Sequence, residues 1–267
     1  MSWSQERIDT ILELVEKAEG KFISQGPLIR LGEGRKVAFV GDTHGAFKVS
    51  QFALDNFWDD CDNIVFLGDY VDRDPHGLEN LEVLLSRFLE GDKLVLLRGN
   101  HESPATNEYY GFKEEVEEKL GDHYPNFVSM FSNMPYAAVV NGYLCVHGGI
   151  ARGLSKLEQV EGLKRPDPVP DDQLAFEMLW NDPREELEDF VPNVRGEGTY
   201  FYGKNVTLSF LKDNSLNGIV RGHEVADGFR FEMDGKVITV FSSLYHRMRA
   251  GVLLMDGEFQ RIYFKGE

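Results

Sequence analysis

Val37-Ala38-Phe39-Val40-Gly41-Asp42-Thr43-His44-Gly45 sets the reading of this chain, because its pattern returns four more times. Ile64-Val65-Phe66-Leu67 leads into Gly68-Asp69-Tyr70-Val71-Asp72-Arg73, and Leu94-Val95-Leu96-Leu97 leads through Arg98 into Gly99-Asn100-His101-Glu102. Tyr143-Leu144-Cys145-Val146 precedes His147-Gly148-Gly149, and Gly218-Ile219-Val220 precedes Arg221-Gly222-His223. The apolar runs read as buried strands. The polar residues therefore gather at the carboxyl ends of strands, where open α/β sheets place their sites. Carboxylate, imidazole and amide donors together suit a hard-to-borderline divalent metal, and there are enough of them for two ions. In an extended stretch residues i and i+2 share a face, so Asp42 and His44 point the same way.

Each residue alone has a plainer reading. An Asp after a strand usually forms a turn or caps a helix, and an isolated His is more often a hydrogen-bonded structural residue. Five such segments in one chain reverse that reading. His76, His123 and His246 match no ligand position; the first two read as surface or loop residues, and His246 is left open.

Around these segments helices and strands alternate. Residues 4–19 carry Ile8, Ile11, Leu12 and Val15 on one helical face, and Gly20 is expected to end that helix. Helices are expected over 47–57 and 77–90, the second stopped by Gly91. The first half is thus β-α-β-α-β, which predicts parallel strands and right-handed crossovers. Residues 103–135 read as mostly helical and aromatic. Beyond them Asn141-Gly142, Asp234-Gly235 and Asp256-Gly257 each join two apolar runs, a hairpin signal that predicts an antiparallel or mixed sheet. Residues 164–173, with three prolines, read as a surface loop. The class is α/β, with residues 1–267 expected to form one domain whose first 25 residues are a helical segment.

A length of 267 residues is enough to bury a large core. The net charge of -17 argues against nucleic acid or an anionic membrane as partner. The two cysteines, Cys61 and Cys145, give no disulfide framework. The amino-terminal residues lack the basic and apolar stretches of a signal peptide, and no apolar run reaches the length of a membrane span, so a cytoplasmic protein is expected.

The ordered segments resemble the PPP family of serine/threonine phosphoprotein phosphatases, in the calcineurin-like metallophosphoesterase superfamily. Its signature is Gly-Asp-x-His-Gly, then Gly-Asp-x-Val-Asp-Arg, then Gly-Asn-His-Glu, and the likeness extends over residues 27–265. It implies a four-layer fold of two mixed β-sheets packed face to face with helices outside. It also implies two divalent metal ions, assigned as Mn with Fe or Zn also accepted. Asp42, His44 and Asp69 would hold one ion, and Asp69, Asn100, His147 and His223 the other.

The same resemblance makes His101 the general acid, oriented by Asp72, and makes Arg73 and Arg195 phosphate ligands. Arg195-Gly196 follows Trp180-Asn181-Asp182-Pro183 and precedes Phe201-Tyr202-Gly203, as in the family. Arg98 and Arg221 are read as supports of the site and Glu102 as structural. Tyr245 aligns with the family's substrate-loop tyrosine. The implied reaction is direct attack of a metal-bound hydroxide on a phosphoserine or phosphothreonine of a phosphoprotein or phosphopeptide, releasing inorganic phosphate. Two other readings are a hydrolase of dinucleoside polyphosphates or other small phosphates, and a non-enzymatic scaffold. The chain departs from the eukaryotic pattern at Asp74-Pro75, where Gly usually follows the arginine. It departs again in the short, basic segment 242–249, and no calmodulin-binding tail is expected. The compact form is similar to prokaryotic or archaeal members.

Overall fold

The structure, a computed structural model, describes residues 3–266. Strand Val37–Val40 shows how the layers arise. All four of its residues are buried, and successive side chains enter different cores. Val37 and Phe39 meet Val65, Leu67, Ala138, Val220 and Ile238 between two sheets. Ala38 and Val40 face the other way, into a core shared with Ile11, Phe22, Leu54, Leu84 and Phe127 of the helices. A strand apolar on both faces must be covered on both, and this period-two division does so.

One sheet has the order Glu258–Tyr263, Gly251–Asp256, Val37–Val40, Asn63–Phe66, Leu94–Leu96. Its last three strands are parallel, joined by helices Phe47–Phe57 and Gly77–Phe88, as the β-α-β-α-β pattern requires. The other sheet has six strands in the order Leu28–Arg30, Ala137–Val140, Tyr143–Val146, Gly218–Arg221, Val237–Val240, Phe229–Glu232. It is mixed, with Tyr143–Val146 and Val237–Val240 both parallel to Gly218–Arg221. Its outer face packs on Ala175, Met178 and Leu179 of helix Gln173–Trp180 and on Phe210 and Leu211 of helix Lys204–Asp213. Two sheets face to face with helices outside are the four layers expected.

The hairpins form where expected. Asn141 and Gly142 take φ of 50° and 73°, the left-handed pair that a two-residue turn between right-twisted strands needs. The amino-terminal helix differs from expectation, running Gln5–Ser24 through Gly20. The reason is packing: Phe22 is buried and stacks on Phe88 with ring centroids 4.6 Å apart. That contact outweighs the cost of an interior glycine, about 1 kcal/mol. The second expected helix stops at Phe88 rather than residue 90. Residues 103–135 hold three short helices, Pro104–Tyr110, Phe112–Leu120 and Tyr124–Ser132. A small sheet of Asp182–Pro183, Tyr200–Tyr202 and Val191–Pro192 has no counterpart in the sequence pattern, because strands of two or three residues show no period. Among the described residues no helix is long and apolar enough to cross a membrane.

The two sheets meet at one end. Asp42 pairs with Phe241 in a parallel bridge, just past the ends of strands from opposite sheets. Gly41 permits this approach: a Cβ there would lie 1.9 Å from the carbonyl oxygen of Val240. All five signature segments leave their strands at this edge.

Candidate active site

Each signature segment turns sharply as it leaves its strand, and several residues adopt a costly backbone conformation there. His44, Asp69, Asp72, Arg73 and His223 all have positive φ without being glycine. Such strain gathers at functional sites and persists only where surrounding contacts hold it. Glu102 supplies one such hold. Its carboxylate accepts from the N–H groups of Asp69 at 2.9 Å, Tyr70 at 2.9 Å and Gly99 at 2.8 Å, which is the structural part read for it.

The donor atoms fall into two overlapping sets, His44–Asp69–His101 and Asp69–His147–His223, each with its atoms within 4.8 Å of one another. Asp69 belongs to both, the position expected of a shared ligand. Asp42 is absent from the first set and His101 stands there instead. Asp42 nevertheless lines the same cavity, and its Oδ1 accepts from the His223 N–H at 2.7 Å.

The histidines are oriented for coordination. The Nδ1–H of His44 donates to the Val71 carbonyl at 2.8 Å, and that of His147 to the Leu67 carbonyl at 2.8 Å. Each bond turns the other ring nitrogen, Nε2, toward the site. For His147 that nitrogen faces Asn100 Oδ1 at 2.9 Å and Asp69 Oδ1 at 3.3 Å. Protonated, that nitrogen donates to these oxygens; deprotonated, it converges with them on one point as a metal ligand would. His223 Nε2 is buried and has no hydrogen-bond partner among the described residues. These are the features of a ligand set, so the residues fit divalent metal.

The charges agree. Burial and the neighbouring Asp69 raise Asp42 to about 6. Burial opposes ionisation of Asp69 as well, but His147, His101 and His44 hold it well below the carboxylate range. Burial and the neighbouring His101 push His44 down to about 4, toward the neutral ring that coordinates. Burial would lower His147, yet Asp69 and Asp42 raise it to about 9, and in a loaded site the metal replaces that proton.

Gly222 keeps this floor compact, since a Cβ there would lie 2.4 Å from Asp42 Oδ1. Gly222→Ala is therefore expected to displace the Asp42 carboxylate and lower bound metal per chain. Elemental analysis checks this, with the circular dichroism spectrum unchanged.

His101 stands apart from the ligands in one respect. Its Nδ1–H donates to Asp72 Oδ2 at 2.7 Å, leaving Nε2 to face the cavity. Asp72 is held in turn by Asn107 Nδ2 at 2.9 Å and the Phe112 N–H at 2.9 Å. Burial lowers the His101 pKa, but Asp69 and Asp72 outweigh it and the net shift is upward. A ring aimed into the cavity by a carboxylate that favours its charged form is an arrangement for proton donation.

The expected phosphate ligands share the cavity, whose volume is about 230 Å³. Arg73 is exposed, and its guanidinium lies over the Tyr110 ring at 3.7 Å and donates to the Tyr245 hydroxyl at 3.4 Å. Tyr110 also packs on His101, with centroids 5.0 Å apart. It thus touches both the arginine and the acid, a role with no signature in the sequence. Arg195 donates through Nε to Asp182 Oδ2 at 2.6 Å. Asp182 also takes Arg221 Nη2 at 2.8 Å and Asn193 Nδ2 at 2.8 Å. Burial would raise the Asp182 pKa, but His223, Arg221 and Arg195 hold it well below the usual range. Arg195 Nη2 also donates, at 3.5 Å to Asp182 Oδ1 and at 3.4 Å to the His223 carbonyl, so Asp182 anchors the guanidinium while Arg195 lines the cavity. Arg98 and Arg221 are fully buried supports, Arg98 bonding the Glu102 carbonyl at 3.0 Å. His246, left open from sequence, lines the cavity and its ring lies 3.8 Å from that of Tyr245. His123 lies outside it, while His76 sits by Asp74 on the neighbouring surface.

Comparisons with known proteins agree with this arrangement. Residues 35–227 match the calcineurin-like phosphoesterase family. The chain is 36% identical to a protein phosphatase 2A catalytic subunit of Dictyostelium discoideum, over 91% of this chain and 78% of that one. It is 34% identical to the serine/threonine-protein phosphatase BSL2 of Arabidopsis thaliana, over 92% of this chain, and spans 26% of that longer protein. Among solved structures, a Saccharomyces cerevisiae serine/threonine phosphatase described as similar to human phosphatase PP5 superposes with a TM-score of 0.89. It is 27% identical, with 97% of this chain and 90% of that one covered. The chain belongs to the calcineurin-like phosphoesterase family and, within it, to the PPP serine/threonine phosphatases.

Proposed function

We propose that the chain is a two-metal phosphomonoesterase that removes phosphate from phosphoserine and phosphothreonine in proteins. One observation carries the reading: Asp69 is common to two donor sets, and the His101–Asp72 pair opens into the same cavity. Asp42, His44 and Asp69 are the residues to hold one ion, and Asp69, Asn100, His147 and His223 the other. Bound divalent ions would neutralise charge at the phosphoryl oxygens and acidify an attacking water. The donors are oxygen and imidazole without thiolate, which suits Mn, while Fe and Zn fit the same set.

The chain's own side chains do the rest. Arg73 and Arg195, which both line the cavity, grip the phosphoryl oxygens. His101, held by Asp72 and acting in its protonated form, delivers the Nε2 proton to the departing serine or threonine oxygen. An alkoxide is a poor leaving group, so this donation contributes on the order of 10²–10⁴-fold. Asn100 is neutral, which limits repulsion of the incoming phosphate. Steady-state comparison of a phosphoserine peptide with a dinucleoside tetraphosphate tests the reading. The peptide should have the higher kcat/KM; the reverse order would make the chain a small-phosphate hydrolase.

Arg195→Ala separates phosphate grip from metal binding. It should retain metal but bind inorganic phosphate more weakly as an inhibitor, by about 1.5–3 kcal/mol for a lost charge-assisted contact. Arg195→Lys should rescue poorly, because a point charge cannot bond both Asp182 and phosphate as the guanidinium does. Wild-type phosphate inhibition in Arg195→Ala would remove this residue from the site.

A further inference from the structure

A groove of about 240 Å³ opens beside the catalytic cavity. It shares His44, Arg73 and Tyr245 with that cavity. Its remaining apolar wall is Ala46, Phe47 and Leu244. Leu244 is 49% exposed, and Phe47 is half-buried with its ring 5.7 Å from that of His76. Lys48 and Arg73 also line the groove, and at the rim the His76 ring contacts Asp74. This is the position where the chain departs from the eukaryotic signature. The wall is thus a two-sided apolar slot, formed by the loop after the first signature strand and by the shortened segment that carries Tyr245.

We propose that this groove is a subsite for an apolar side chain within two positions of the phosphorylated residue, with Leu244 and Phe47 as its specificity-determining residues. The proposal rests on the phosphoprotein phosphatase reading. Groove and cavity are continuous, so a substrate whose phosphate lies between Arg73 and the metal ligands already touches three residues of the groove. An extended peptide advances roughly 3.3–3.6 Å per residue, so a side chain one or two positions away reaches the slot. Ala46, Phe47 and Leu244 favour an aliphatic or aromatic side chain between them, with the polar groups confined to the rim.

The test is a set of phosphoserine peptides in which each residue from two before to two after the phosphoserine is changed in turn to Leu or Gly. At one position Leu should raise kcat/KM over Gly by at least ~10-fold, the effect of burying one aliphatic side chain. Leu244→Asp should reduce that ratio to near one, while turnover of a simple aryl phosphate, which has no flanking residue, stays at the wild-type rate. Equal kcat/KM for Leu and Gly at every position would overturn the subsite, as would a preference that survives unchanged in Leu244→Asp. Hydrolysis of the aryl phosphate with none of any phosphopeptide would overturn the phosphoprotein reading, and the subsite with it.

Discussion

Replacing Asp69 by Asn is expected to remove metal and turnover together. Asp69 is the donor common to both sets, and its Oδ1 also accepts from the His101 N–H at 3.0 Å. Asn keeps an oxygen for that hydrogen bond but loses the charge that offsets two cations. The backbone at Asp69, with φ of 58°, tolerates Asn well, so the fold should survive. The expected readout is less than one metal per chain with turnover at background, and an unchanged circular dichroism spectrum. A variant that keeps both metals and measurable turnover would show that Asp69 does not bridge.

His101→Asn tests the chemical step. Turnover on a phosphoserine peptide should fall by at least ~10²-fold, with metal content unchanged. The loss should be smaller on an aryl phosphate, whose leaving group needs less protonation. The pH dependence has a definite sign. The His101 pKa is shifted upward and the donor acts only in its charged form, so wild-type turnover should fall as pH rises through that pKa, and the basic limb should vanish in His101→Asn. An equal loss on both substrates, or loss of metal, would count against His101 as proton donor.

Much of this site is legible in the sequence because its ligands follow buried strands. A run such as Ile64-Val65-Phe66-Leu67 announces a strand, and the residues after it must sit at one sheet edge. Five such runs bring Asp42, Asp69, Asn100, His147 and His223 together with no long-range contact known in advance. The hairpins are legible for a similar local reason, the turn chemistry of Asn141-Gly142. Tyr110 is not, since its contact with Arg73 exists only once helix Pro104–Tyr110 has folded back toward residues 72–73. Asn107, which bonds both Asp72 and the His101 carbonyl, escapes a sequence reading for the same reason. Asp182 stands in a recognisable segment, but its hold on Arg195 depends on a small sheet whose strands are too short to read. The end of the first helix depends on Phe22 finding Phe88, a contact between distant parts of the chain that outweighs the local signal of Gly20.

In the two-metal proposal, catalysis by this site depends on metal around Asp69. The most direct measurement is phosphoserine-peptide turnover by the purified chain before chelation, after chelation with metal loss verified by elemental analysis, and after adding Mn²⁺. Turnover should disappear with the metal and return with Mn²⁺, reaching a plateau near two ions per chain. Unchanged turnover in protein shown to be metal-free would contradict the two-metal reading.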